Sequence, residues 1–335
     1  ACDDFSQLAE RFADFFVDKI SKISTRLRSR KNGVVNQFPD SIATPRSTFC
    51  DFQPVTLQEL SDIISDIKVK SCLLDPLPAT VFKQCLDTLL PVLKRIVNLS
   101  LTQGIMPTCM KVAVLVPLLK QLSLEPDLFP NYRPISNLTF TSKLCEKVVA
   151  VQVIKYLCEN NLFELFQSAY KVGHSTESAL LRVQNDILCS IDDNNNVILL
   201  MLDLSAAFDT VDHQILLNRL HDRFGIQGAA YRWFTSYLMD RTQFVSIEGK
   251  RSTSRPLSTG VPQGSVLGPL LYSLYTTPIG DILRHHSVSF HQYADDTQIY
   301  CSFKLSDFAD FEQTKLRLQS CINDINAWMV HNNLQ

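Results

Sequence analysis

Apolar residues recur at helical spacing near the start of the chain. Between residues 5 and 23 they return every three or four positions, at Phe5, Leu8, Phe12, Phe15, Phe16, Ile20 and Ile23. This spacing predicts an amphipathic helix whose apolar stripe needs a partner. Residues 26–52 show no such period and carry Arg, Lys, Ser, Pro and Asn, so we expect a linker there.

Two further helices are predicted before residue 105. Thr56 and Glu59 have the spacing of a capping box and precede a periodic apolar run, which predicts a helix start. Pro78 suits the first turn of a longer helix with a kink at Pro91 and an end near Gly104. The first hundred residues are therefore expected to be helical.

The pattern then changes to strands separated by helices. The run KVAVLVPLLK at 111–120 is β-type, and the apolar run VILLMLDL at 197–204 predicts a buried strand that ends in a carboxylate. Between them, residues 142–160 and 176–191 have helical periods. This alternation predicts a mixed α/β (α+β) fold.

The last third continues the same mixture. Helices are expected near 213–223 and 228–239, followed by a strand at TQFVSIEG and a glycine-punctuated turn at GVPQGSVLGP. SVSFHQYADDTQIYC then predicts a strand, a tight turn and a second strand, and residues 306–333 predict a helical tail.

Composition adds three limits. With 335 residues, 45% of them hydrophobic, the chain is long enough for two domains, or for one domain with a helical extension, and can fill a sizeable core. A formal charge of -2 means that any grip on nucleic acid comes from a local groove rather than from the whole surface. The 10 scattered cysteines lack zinc spacing, and no apolar run is long enough for a bilayer, so we expect an intracellular protein without a membrane segment, in nucleus or cytoplasm.

Three aspartates stand where strands are expected to end. Asp203 closes one apolar strand, and the adjacent Asp295 and Asp296 occupy the hairpin turn. Each feature alone is typical of a solvated turn. If the strands are neighbours, however, the three carboxylates converge on one sheet edge, where their mutual repulsion calls for a compensating cation. Phosphoryl transfer uses such clustered carboxylates to hold two Mg²⁺ ions.

Three motifs resemble those of a known family. FHQYADDTQIY resembles the Y-x-D-D box of reverse transcriptases, LDLSAAFDTVDH their first aspartate box, and GVPQGSVLGPLL the box between them. NYRPISNLTFTSKLCEKVV, FQSAYKVGHSTESALL and KSCLLDPLPATVFK look like segments of LINE-type (non-LTR) retrotransposon enzymes of the jockey and chicken-repeat groups. The motifs stand in the order typical of the family, and the resemblance extends over nearly the whole chain.

This resemblance implies a right-hand polymerase with fingers, palm and an antiparallel palm sheet. Residues 1–99 would be a helical N-terminal extension and 100–335 the reverse transcriptase domain. Within that domain, the fingers would cover about 100–196 and the palm about 197–335. Enzymes of this type usually continue into a thumb and carry an endonuclease upstream, and we expect neither within these residues.

The same resemblance implies roles for individual residues. Asp203, Asp295 and Asp296 would be the catalytic carboxylates that hold two Mg²⁺ ions, with Mn²⁺ as a possible substitute. Tyr293 would lie beneath the primer end, and Phe208 would place its ring against the sugar of the incoming nucleotide.

Further matches concern the nucleotide and its triphosphate. Gln263 and Gly264 would contact the nucleotide and the template strand, and Arg133 and Lys120 would neutralise the triphosphate. The implied activity is RNA-directed DNA synthesis with an RNA template, a DNA primer and deoxynucleoside triphosphates as partners.

Two other functions remain open at this point. The chain could be an inactive retroelement remnant that serves only as a nucleic-acid-binding or interaction module, although the intact aspartates argue against decay. An RNA-copying RNA polymerase shares the palm and the acidic pair, but Phe208 argues against an enzyme that must admit a 2′-hydroxyl. Oligomeric state, template RNA and insertion target are left open by the sequence.

Overall fold

The computed structural model describes residues 5–31, 33–35, 38, 47–67, 72–204 and 207–335. It divides into two compact units. We call the first the five-stranded unit, formed by Ala1–Ile23, Ile42–Asn161 and Asp212–Gly268. The second is the three-stranded unit, formed by Ser24–Ser41, Leu162–Val211 and Pro269–Gln335.

Helices and strands alternate along most of the chain, which confirms the predicted mixed α/β fold. The helices are α1 Phe5–Lys31, α2 Leu57–Asp66, α3 Ala79–Gln84, α4 Leu86–Gln103, α5 Phe140–Glu159, α6 Thr176–Asp192, α7 His213–Asp222, α8 Gly228–Leu238, α9 Gly268–Thr276, α10 Pro278–His285 and α11 Phe308–His331. The strands are β1 Val112–Leu119, β2 Tyr132–Asn137, β3 Asn196–Leu202, β4 Arg241–Ile247, β5 Lys250–Arg251, β6 Arg255–Leu257, β7 Ser289–Tyr293 and β8 Asp296–Phe303.

The sheet of the five-stranded unit mixes parallel and antiparallel pairing. Its strand order is β2-β1-β4-β5, and β6 also pairs with β4. β1 runs antiparallel to β2 but parallel to β4, with Val114 opposite Phe244. More than 100 residues separate β1 from β4, so this pairing joins distant parts of the chain.

The apolar stripe of α1 finds its partner on this sheet. Ala9, Phe12, Ala13 and Phe16 form one buried cluster with Leu115 of β1 and Val245 of β4. Phe12 also meets the ring of Phe129 at a centroid distance of 4.5 Å. The predicted need for a partner is therefore confirmed, because residues 8–16 of α1 pack against β1 and β4.

The three-stranded unit contains an antiparallel sheet of order β3-β8-β7. β3 pairs with β8 so that Leu202 lies opposite Thr297, and β7 pairs with β8 so that Tyr293 lies opposite Asp296. Helices α6, α10 and α11 pack against these strands. The strand that ends at Asp203 and the hairpin that carries Asp295 and Asp296 are thus neighbours, as the sequence predicted.

Several helix ends follow their local sequence. At α2, the Thr56 side chain accepts from the Glu59 amide while the Glu59 carboxylate accepts from the Thr56 amide, which confirms the capping box. Pro91 lies inside α4, and Gly104 ends that helix in the left-handed conformation at φ +67°. Glycine meets no Cβ penalty there.

Two predictions about the N-terminal part were wrong. α1 does not stop before a linker at residue 26 but continues to Lys31, because Leu27 extends the apolar stripe and is fully buried. Residues 32, 36–37 and 39–46 of the predicted linker lie outside the described residues. The single long helix after Pro78 is instead divided into α3 and α4, since Cys85 departs from helical geometry at φ -99°, ψ 12°.

No described helix is both long and apolar enough to cross a membrane. The nine cysteines within the described residues are all unpaired. Cys72, Cys145, Cys301 and Cys321 are buried, and Cys85, Cys109, Cys158 and Cys189 are exposed.

Candidate active site

Three carboxylates gather at one edge of the three-stranded sheet. β3 ends at Leu202, opposite Thr297, so the same register carries Asp203 to the level of Asp296. Asp296 is the first residue of β8, and Asp295 lies in the turn before it. The two antiparallel pairings therefore bring all three aspartates together, as the sequence predicted.

The turn that carries Asp295 is tight. It contains only Ala294 and Asp295 between paired Tyr293 and Asp296. Ala294 has φ +56°, in the left-handed region that a residue with a Cβ seldom occupies. Contacts outside the hairpin must hold the turn in this conformation.

The electrostatics of the edge reflect the crowding of its charges. The pKa of Asp296 is raised by partial burial and then by the negative charges of Asp295 and Asp203. Burial raises the pKa of Tyr170 and Tyr272, and the charge of Asp295 raises both further. The charges of Asp203 and Asp295 thus act on Asp296, and the charge of Asp295 acts on two tyrosines.

The carboxylate oxygens at this edge are the type of ligand that a hard divalent cation binds. Carboxylate oxygens are the ligands that Mg²⁺ prefers, and a cation would offset the repulsion that raises the pKa of Asp296. In the part of the chain that the structure describes, no three Asp, Glu, His or Cys side chains already form a ligand group. The assignment of Asp203, Asp295 and Asp296 as metal ligands stays a prediction.

Phe208 follows the first aspartate within the same unit. Its half-buried ring stacks on Tyr272 of α9, with centroids 4.6 Å apart and planes 26° apart. The Tyr272 hydroxyl is buried and has no hydrogen-bond partner among the described residues. Ser205 and Ala206, which belong to the first aspartate box, lie outside the described residues.

The five-stranded unit carries the predicted cations on its β1–β2 hairpin. Lys120 follows β1, and its backbone amide donates to Asn131 O at 2.9 Å; Arg133 lies on β2 opposite Leu118. The pKa of Lys120 is lowered by partial burial, then by the positive charges of Lys19 and Arg133. Lys19 of α1 therefore joins these two in a basic cluster that the sequence alone did not reveal.

Gln263 and Gly264 lie against β2 in the same unit. The Ser136 amide donates to Gln263 O at 2.7 Å, which ties the loop to the strand. Gly264 has φ +114°, and a Cβ built there would stand 2.6 Å from Ser136 O. Only glycine fits this close approach without movement of the backbone.

A buried carboxylate holds the end of this loop. Glu146 of α5 is fully buried and accepts from the amides of Val266 at 2.8 Å and Leu267 at 3.1 Å. Burial raises the pKa of Glu146, although the charge of Arg241 and these donors work in the opposite direction. Glu146 was not among the predicted site residues, and its one signal in the sequence is a lone acid inside the apolar helix run CEKVVAV.

The beginning of the loop is held by a buried histidine. His213 Nε2 donates to Gly260 O at 2.7 Å, and burial lowers the pKa of His213. Ser265 Oγ accepts from the Gly268 amide, at the start of α9, and donates to Pro262 O. Gln263 and Gly264 are therefore presented by a loop fixed at both ends.

Residues 125–335 match the family model described as "Reverse transcriptase (RNA-dependent DNA polymerase)". This match covers more than half of the chain and includes all the predicted site residues except Lys120.

Three relatives come from mobile elements of Drosophila melanogaster. The chain is 28% identical over 298 residues, 87% of its length, to the RNA-directed DNA polymerase from mobile element jockey, and it covers 32% of that protein. It is 27% identical over 326 residues to the probable RNA-directed DNA polymerase from transposon BS, with 95% and 35% covered. To the corresponding protein from transposon X-element it is 34% identical over 175 residues, with 51% and 19% covered. These matches confirm the resemblance to the jockey group, and the chain spans about a third of the length of the jockey and BS relatives.

Proposed function

The chain belongs to the reverse transcriptase (RNA-dependent DNA polymerase) family, and from that premise we propose that it synthesises DNA on an RNA template. In this reaction the primer 3′-hydroxyl oxygen forms a bond to the α-phosphorus of a deoxynucleoside triphosphate. The bond between that phosphorus and the oxygen bridging to the β-phosphate breaks, and pyrophosphate leaves. The 3′-hydroxyl loses its proton in the same step.

The carboxylate edge of the three-stranded unit carries this proposal. Asp203 and Asp295 would hold the divalent ions, with Asp296 beside them. The pKa of Asp296 is raised by burial and then by the charges of Asp295 and Asp203, and the second cause supports the assignment because a cation would offset it. Bound there, Mg²⁺ or Mn²⁺ would supply charge stabilisation of the attacking and leaving oxygens.

We propose that the antiparallel β3-β8-β7 sheet is the palm sheet of a right-hand polymerase. The β1–β2 hairpin would belong to the fingers, with Lys19, Lys120 and Arg133 binding the triphosphate. An arginine side chain suits this role, because its planar fork can bind two phosphate oxygens at once. The proposed boundaries stay at residue 99 for the N-terminal extension and at residue 196 between fingers and palm.

Separate residues would recognise the sugar, the primer end and the base. Phe208 would pack against the sugar C2′, and the stack on Tyr272 at 4.6 Å would keep its ring from turning away. Tyr293 would support the primer end, and Gln263 with Gly264 would contact the nucleotide through the fixed loop. Discrimination against a ribonucleotide would follow, since its 2′-hydroxyl would lose hydration without gaining a hydrogen bond.

Primer extension on an RNA template tests the proposal. We expect extension with deoxynucleotides in Mg²⁺, little extension with ribonucleotides, and a loss of at least about a hundredfold in Asp203→Asn and in Asp295→Asn. Asp192→Asn is the matched control, because Asp192 is an exposed residue at the end of α6 in the same unit. It should extend at the wild-type rate.

Three results would contradict the proposal. Near wild-type extension by a folded Asp203→Asn or Asp295→Asn variant would remove the carboxylates from the reaction. Tight RNA binding without any extension, in both Mg²⁺ and Mn²⁺, would favour the binding-module function instead. Equal use of both nucleotide classes would favour an RNA polymerase.

A further inference from the structure

A buried glutamine forms hydrogen bonds to the turn that carries Asp295. Gln167, which is 4% exposed, lies in the segment between α5 and α6. Its side-chain Oε1 accepts from the Ala294 amide at 3.1 Å, and its Nε2 donates to Ala294 O at 3.2 Å. One carboxamide therefore holds both backbone polar groups of Ala294.

These two bonds are the ones the hairpin cannot make for itself. The β7–β8 ladder ends at the pair of Tyr293 and Asp296, so the ladder has no partner to offer Ala294 inside the turn. A buried or half-buried backbone amide or carbonyl without a partner is costly. Gln167 satisfies both groups and thereby favours the left-handed conformation of Ala294 at φ +56°.

The glutamine is itself held in place. Its Oε1 also accepts from the Ala169 amide at 2.9 Å, which fixes the orientation of the carboxamide. Backbone bonds from Gln292 N to Phe166 O and from Ser168 N to Gln292 O tie the segment to β7. Gln167 is therefore a rigid element attached to the same strand whose end it controls.

We propose that Gln167 is a positioning residue for Asp295 and hence for the divalent-ion site, an inference that rests on the proposed function. Ala294 O belongs to the peptide group that joins Ala294 to Asp295. Holding that oxygen sets the plane of this peptide, and with it the direction in which the Asp295 Cα–Cβ bond leaves the backbone. Replacing a residue that orients a metal ligand without touching the metal typically lowers metal affinity by about 10–100-fold.

The chain offers a matched control at a distance from the turn. Gln152 of α5 makes the same pair of bonds to the backbone of Gln53, with Oε1 accepting from Gln53 N and Nε2 donating to Gln53 O, both at 2.8 Å. This glutamine belongs to the five-stranded unit. Replacing it removes an equivalent clamp without touching the aspartate turn.

The test is a titration of the full chain with Mn²⁺ alone, followed by its paramagnetic effect on water-proton relaxation. Gln167→Met keeps the size of the side chain and removes both bonds to Ala294. We expect it to weaken Mn²⁺ binding about tenfold or more. Gln152→Met should bind Mn²⁺ as the wild type does. Hydrogen exchange at the Ala294 amide should become faster in Gln167→Met only.

A second substitution distinguishes a loss of positioning from a folding defect. Gln167→Glu keeps the acceptor contact to the Ala294 amide but places a carboxylate oxygen against Ala294 O, where a donor is needed. It should also weaken Mn²⁺ binding, and Gln152→Glu is its control. In primer extension, both Gln167 variants should need more Mg²⁺ for half-maximal rate at an unchanged KM for primer–template.

The outcomes separate this inference from the proposed function. Wild-type Mn²⁺ affinity in either Gln167 variant, with thermal unfolding equal to that of its Gln152 counterpart, would overturn the positioning role. If instead Asp295→Asn and the wild type bind Mn²⁺ equally, the metal site itself is refuted, and this inference falls with it.

Discussion

Gly264→Ala tests the most demanding local geometry in the candidate site. The backbone of Gly264 is at φ +114°, and the added Cβ would meet Ser136 O at 2.6 Å. A Cβ and a carbonyl oxygen do not approach so closely in folded proteins, so one of the two backbone segments must move. Moving either segment would disturb the 2.7 Å bond from Ser136 N to Gln263 O.

The magnitude follows from two contributions. A residue other than glycine in a sparsely populated backbone region costs about 1–3 kcal/mol in stability. Forcing a methyl group into filled space costs about 1–3 kcal/mol more. We therefore expect Gly264→Ala to lower the free energy of unfolding by about 2–6 kcal/mol.

Gly249→Ala separates the two contributions. Gly249 lies in the turn between β4 and β5 of the same unit at φ +77°, and a Cβ built there would meet nothing within 4 Å. This control carries the backbone strain alone. The difference between the variants should be about 1–3 kcal/mol, or about 2–12 °C in Tm, by the usual scaling for domains of about 150–250 residues.

Thermal unfolding of both variants, followed by circular dichroism, measures this difference. Primer extension adds a functional result, because displacement of Gln263 should raise the KM for deoxynucleotide in Gly264→Ala but not in Gly249→Ala. Equal Tm values for the two alanine variants would refute the reasoning, since they would show that the close approach to Ser136 carries no cost.

Two other predictions concern buried rings. Phe208→Val should raise ribonucleotide incorporation about tenfold or more while deoxynucleotide incorporation changes little; loss of both activities together with a lower Tm would mean that the stack on Tyr272 is only core packing. Burial lowers the pKa of His213 below 6.5, so the unfolded chain binds more protons as the pH falls through 6.5 and stability should fall with it. Urea unfolding at several pH values should show that His213→Gln flattens this dependence.

Regular elements could be predicted because their causes are local. Thr56 and Glu59 form the capping box that starts α2, and the predicted strand at 197–204 appears as Asn196–Leu202. Pairing between β3 and β8 was expected because one apolar strand is followed by Asp203 and the other begins at the aspartate pair. The carboxylate edge was therefore within reach of sequence reasoning.

The features that the sequence did not predict depend on long-range contacts or on small local differences in backbone conformation. The end of α1 was placed too early because Arg26, Arg28 and Arg30 mask the stripe that Leu27 continues. The parallel pairing of β1 with β4 joins segments more than 100 residues apart and has no local signal. The division between α3 and α4 at Cys85 was missed for a different reason, because the apolar period continues through Cys85 into α4.

Side chains that hydrogen-bond to a distant backbone leave no periodic trace. Gln167 and Gln152 make the same two bonds to a backbone residue, yet one holds the aspartate turn and the other holds the segment before α2 at Gln53. Neither position differs from a solvated glutamine in the sequence. Only the fold reveals which backbone each one holds.

Net charge does not reveal local clusters of charge, for a related reason. The total of -2 is a sum over 32 basic and 34 acidic residues, and it averages out fields that act over a few ångströms. In the three-stranded unit, burial and then the charges of Asp295 and Asp203 raise the pKa of Asp296. In the five-stranded unit, burial and then the charges of Lys19 and Arg133 lower the pKa of Lys120. Like charges therefore contribute to each shift after burial, and a ligand of opposite charge would relieve that contribution. A net charge near zero is therefore compatible with separate acidic and basic clusters in one chain, which composition alone does not reveal.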